Sequence, residues 1–117
     1  MVQEVLVGPR TRLTLLEQEF KAIERRALAG LKVILHTIRS SAGGQSARLV
    51  GFLASLYLKY DCPFELTDLR SLDTALANAC LDYLNYDRLG VCDLERHLAD
   101  GGVEVAGWIR DYGCGPG

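Results

Sequence analysis

The sequence predicts an all-α single domain of about five helices, with a long first helix. Three observations carry that expectation. Leu16, Phe20, Ile23, Ala27, Leu31, Ile34 and Ile38 follow one another at intervals of three and four, the spacing of one helical face. No segment alternates apolar and polar residues over more than a few positions, as a half-buried strand would. The 117 residues are 49% hydrophobic and 24% charged, enough for one core and unlike a disordered chain.

The elements follow in order. Residues 1–12 read as a leader broken at Gly8-Pro9. Thr14 and Glu17 have capping-box spacing, in which the threonine hydroxyl accepts from the third helical N–H and the glutamate reaches back. A first helix is therefore expected over 14–39, about 39 Å long at 1.5 Å per residue. Gly30 lies inside it, where glycine costs about 1 kcal/mol relative to alanine and could permit a bend or a close helix crossing. Ser40-Ser41-Ala42-Gly43-Gly44 ends it. A second helix is expected over 45–60, apolar on most sides and so central, stopped before Pro63. Thr67 is placed to cap a third helix running to about 85, with Asp68 favoured in its first turn. A loop through Gly90, a short helix over 92–99 and a last helix over 103–112 complete the chain. The Gly-rich end, 113–117, reads as a flexible tail in which Cys114 is an exposed thiol.

The charge excludes some classes. Thirteen Lys/Arg against fifteen Asp/Glu leave a net −2, which fits neither a strongly basic nucleic-acid coat nor a polyacidic tail. No apolar run approaches the ~20 residues needed to cross a bilayer, so no membrane is expected. The first residues lack the charged start and apolar core of a signal peptide, so a cytoplasmic location is expected. The cysteines at 62, 80, 92 and 114 contain no Cys-x-x-Cys pair. On a helix Cys92 and His97 would stand about 140° apart. No metal and no cofactor is expected. Cys80 reads as a core residue and His36 as partly buried.

The near-neutral total conceals a division. Residues 10–48 hold eight Lys/Arg and three Glu, a local +5; residues 49–117 hold five and eleven, a local −6. The basic part gives a candidate nucleic-acid surface of Arg25, Arg26, Lys32 and Arg39, with Arg25, Lys32 and Arg39 seven apart on one face. The bland alternative is that the basic helix lies against the acidic ones. The acidic part gives a candidate partner-binding set of Asp68, Arg70, Asp73, Asp82 and Asp87. Arg70 and Asp73 could equally be a surface ion pair of a capped helix. Asp93, one turn before His97, could orient its imidazole as the start of a general-base pair. No Gly-x-Ser-x-Gly nucleophile accompanies it, and a structural histidine is the expected role.

The segments Gly43–Arg48, Phe52-Leu53 and Phe64–Asp73, with Cys80 and Glu95-Arg96-His97, resemble a small family of unknown function. Its members occur in plasmids and integrative elements of proteobacteria, and the resemblance spans about residues 43–100. It implies a bacterial mobile element as the source and carries no activity.

The expected function is therefore non-enzymatic: a module that binds another protein or protein complex, such as an anti-CRISPR-type inhibitor of a host defence complex. The alternative is a DNA-binding accessory or regulator that uses the basic first helix. A homodimer is compatible with both, since Leu15, Leu28, Val33 and Leu35 lie off the core stripe of that helix.

Overall fold

The structure, a computed structural model, describes residues 9–41 and 43–113, with the backbone alone for 9–14 and Tyr60. Four α-helices follow one another: α1 Pro9–Ser40, α2 Gly44–Tyr57, α3 Thr74–Asp87 and α4 Val103–Tyr112. Three short 3₁₀ segments lie between them, at Lys59–Asp61, Leu66–Ser71 and Leu94–His97. No strand occurs among the described residues. The all-α expectation holds.

α1 starts earlier than the capping box implies. Pro9 occupies its first position, where the missing N–H and fixed φ suit a helix start. Thr14 and Glu17 are therefore interior, and residues 9–12 are helix and not leader. At 32 residues α1 extends about 48 Å. Gly43, at φ 140°, makes the turn into α2, and the buried Ser46 hydroxyl donates to the Ser41 carbonyl at 2.8 Å. Residues 1–8, Ala42 and 114–117 lie outside the described residues, and with them most of the leader and the reading of Cys114.

α1 packs mainly against α3, and α2 packs against both α1 and α4. Gly30 sits where α1 crosses α3: a Cβ there would lie 2.7 Å from the Ala79 carbonyl oxygen. Of the two readings of a glycine inside this helix, a bend or a close crossing, it serves the crossing. Ala27, Leu31, Ile34 and Ile38 of α1 meet Leu76, Ala79, Cys80 and Tyr83 of α3 in one apolar cluster. α2 contributes Leu49, Val50, Phe52 and Leu53 to it and α4 contributes Val105. Phe64 meets Phe52 edge to face, with ring centroids 5.6 Å apart. Burying one such side chain contributes roughly 1.5–3 kcal/mol.

The expected third helix is two elements. The chain makes a 3₁₀ turn over 66–71, extends through Leu72 and Asp73, and only then enters α3. Asp73, not Thr67, is the N-cap, and its carboxylate accepts from the Leu76 N–H at 3.1 Å. Arg70 and Asp73 are thus in different elements and do not share a helical face. The expected helix 92–99 is the four-residue 3₁₀ turn Leu94–His97, entered from the extended Asp93. α4 has the boundaries that the sequence predicts.

Candidate functional site

The five acidic-half candidates do not gather on one surface. Asp68 and Arg70 lie on the 3₁₀ turn before α3, and Asp73 is spent as the cap. Asp82 is in the middle of α3, across a shallow groove from Arg26. Asp87 ends α3, about 21 Å along the axis from Asp73. It lies in a cleft of about 460 Å³ beside Ser55, Lys59, Gly90, Cys92 and Asp93. Its carboxyl is pushed above the ordinary range by burial first and by Asp93 second, against the opposing pull of Lys59. Lys59 reaches Asp93 at 3.5 Å from a left-handed backbone, φ 56°, unusual for a side chain of its kind.

The basic candidates divide as well. Arg39 is claimed within the chain: its guanidinium grips the Glu104 carboxylate through Nε at 3.0 Å and NH2 at 2.6 Å. Trp108 lies beneath it at 6.0 Å. That fork raises the guanidinium pKa above its already high ordinary value. The bland reading of charge complementarity thus holds for Arg39. None of the ion pairs among the described residues involves Lys21, Arg25, Arg26 or Lys32. Lys21, Arg25 and Lys32 are exposed and lie along one side of α1. Arg26 points about 100° away from Arg25, toward the groove it shares with Asp82.

Apolar surface borders this row on both sides. Leu28, 38% exposed, is close beside Lys32, whereas Val33, 44% exposed, stands about 140° around the axis from Leu28, at the edge it shares with Arg26. Ala29, Lys32, Val33 and His36 line a shallow groove of about 480 Å³, and a second of about 250 Å³ runs between Leu28, Lys32, Leu35 and His97. His36 is exposed, contrary to expectation, with its Nε2 at 3.3 Å from the Ser40 hydroxyl. The outward face of α1 therefore carries three cations, in no ion pair among the described residues, with Leu28 at one edge and Ala29, His36 and Val33 toward the other.

His97 stands in an arrangement that helical spacing hides. Its Nδ1 is 3.2 Å from the Tyr83 hydroxyl, and its Nε2 is 3.7 Å from Cys92 Sγ. Tyr86 joins them, its hydroxyl 3.6 Å from the same sulfur while it donates to Glu24 of α1 at 3.3 Å. Both tyrosine rings are buried. Burial is the first cause that raises both phenols, with Tyr86 pushed up to about 12. Asp93 turns away to Lys59, so the Asp93–His97 pair that the spacing allowed does not form. The 140° separation of Cys92 and His97 assumed a helix; an extended residue followed by a 3₁₀ turn folds the two side chains together. Gly90, at φ 68°, and Asp93 ahead of Leu94 were the signals of that bend. Among the described residues no group of three or more His, Cys, Asp or Glu could hold a metal ion.

No helix of the described residues is long and apolar enough to cross a membrane. No curated protein and no solved structure matches the chain. A family profile does match, over residues 28–113, from the middle of α1 through α4. The chain belongs to that family, a family of unknown function designated DUF7673.

Proposed function

We propose that the protein is a helical binding module that engages another protein through the outward face of α1. The observation that supports this reading is that Lys21, Arg25 and Lys32 lie along the outward face of a 32-residue helix between two exposed apolar edges, Leu28 on one side and Val33, about 140° around the axis from it, on the other. Apolar surface gives affinity, and the flanking cations select an acidic partner and speed encounter. A mobile-element origin, and a specific role as an anti-CRISPR-type inhibitor of a defence complex, are the finer form of the proposal. In that form the module would occupy the partner's surface, with Asp68 and Asp82 as secondary contacts. Co-purification from lysate of the encoding cells at low and high salt tests it. A partner that wild type retains and Val33→Glu loses is the expected result; equal recovery by both contradicts it. Light scattering separates a second copy of the chain from a different protein as the occupant.

The unpaired row Lys21, Arg25, Lys32 favours one other reading, DNA binding by α1. A mobility shift at low salt that disappears in the triple alanine variant supports that reading. No shift at low salt removes it.

A further inference from the structure

Cys92 is a free thiol, half-buried, that lines the cleft formed with Lys59, Asp87 and Asp93. Behind it stands an imidazole in contact with its sulfur, held from the other side by a phenol. We propose that Cys92 is a nucleophile whose proton passes to His97, and that the cleft admits small electrophiles carrying an ammonium group.

The geometry supplies what such a thiol requires. Thiolate is the attacking form, and an adjacent base generates it. His97 Nε2 faces Sγ, and Tyr83 at Nδ1 can accept the Nδ1–H while Nε2 takes the thiol proton. Tyr83 is thus a positioning residue. The two phenols stay neutral because burial opposes their ionisation, so neither places a negative charge beside the sulfur. Glu24 is the nearby carboxylate on the α1 side, and it is occupied by the Tyr86 hydroxyl. The cleft itself sets two carboxylates, Asp87 and Asp93, against one ammonium, Lys59, which is already paired with Asp93. A cationic ligand balances that excess, and an anionic one is repelled.

With 2-bromoethylamine as probe, Sγ attacks the bromine-bearing carbon. The S–C bond forms, the C–Br bond breaks, and bromide leaves with the bonding pair. The thiol proton goes to Nε2 and then to water. No oxidant or reductant takes part. Cys80 is an internal control: it is fully buried, and burial pushes its thiol up to about 12.

The experiment measures alkylation of each cysteine in the folded chain at pH 7 by peptide mass spectrometry. Rates for 2-bromoethylamine, iodoacetamide and iodoacetate are each taken relative to N-acetylcysteine amide. Cys92 should react with 2-bromoethylamine at least tenfold faster than the reference thiol, while iodoacetate gains nothing and Cys80 stays unmodified. His97→Gln should remove about tenfold of that rate for all three reagents. Tyr83→Phe should lower it by less, at unchanged charge preference. Asp87→Asn should lower the ratio of the 2-bromoethylamine rate to the iodoacetamide rate. A wild-type Cys92 no faster than the reference overturns the proposal by itself, whatever the variants do. So does an unchanged rate in a folded His97→Gln protein.

Discussion

At the scale of single residues, the close contacts make the sharpest claims. Gly30 is in a helix, so propensity alone says that alanine should stabilise by about 1 kcal/mol. The crossing says the opposite, because the new Cβ would stand 2.7 Å from the Ala79 carbonyl oxygen, a backbone atom that cannot swing aside. Overpacking of this kind costs roughly 1–3 kcal/mol. Gly30→Ala should therefore lower the urea midpoint at unchanged slope; a raised midpoint would mean that the helices do not approach there. Asp87 gives a pH signature. Burial and Asp93 raise its folded pKa above the unfolded value, so the folded state holds its proton more tightly. Its contribution to stability is thus fully present below the unfolded pKa and is lost as pH rises through the folded one. Asp87→Asn should stabilise the protein at neutral pH and flatten that part of the urea-midpoint profile. The Cys92–His97 contact was not legible at this scale, because spacing arithmetic presumes a backbone. A five-residue separation is divergent on an α-helix, yet it brings the side chains together across an extended residue and a 3₁₀ turn.

At the scale of elements, the sequence pattern was readable where one apolar stripe could be followed. α4 lies where the periodicity put it, α1 begins five residues before the expected 14, and α2 ends at Tyr57 and gives way to a 3₁₀ turn where helix was expected to 60; a continuous stripe on one face still marks each helix. It failed at Phe64–Asp73, where Leu66, Leu69 and Leu72 recur at intervals of three. That spacing suits a 3₁₀ turn as well as an α-helix. Two strong caps then competed, Thr67 and Asp73, and the apolar run that could be buried followed the second. Asp73→Ala should accordingly destabilise the fold by about 1 kcal/mol, and Asp73→Asn by much less, whereas Thr67→Ala should be nearly neutral by thermal melting. Between α1 and α4, Arg39 and Glu104 make an exposed fork. A double-mutant cycle should give a coupling of about 0.2–1 kcal/mol that shrinks in high salt. A coupling insensitive to salt would contradict an exposed ion pair as its source.

At the scale of the whole molecule, the charge division persists in three dimensions for a specific reason. Folding pairs Arg39 with Glu104 and leaves Lys21, Arg25 and Lys32 on the side of α1 turned away from α3. The acidic residues are instead spread over α3, α4 and the turns around them. Apolar exposure follows the same geometry: a long helix that packs mainly against one partner buries one face and leaves Leu28 and Val33 outside. The central claim is that this face is a binding surface. Val33 can be compared with Val103, which is 70% exposed but belongs to α4, beside the Glu104 that pairs with Arg39. Neither substitution to glutamate should change the helical circular dichroism or the urea midpoint by more than about 0.5 kcal/mol. The most direct test is quantitative recovery of bound partner by wild type, Val33→Glu and Val103→Glu, each tagged and expressed at equal level in the encoding cells. The account predicts that Val33→Glu loses the partner while Val103→Glu retains it in full; loss with Val103→Glu, or retention by all three proteins, would contradict it.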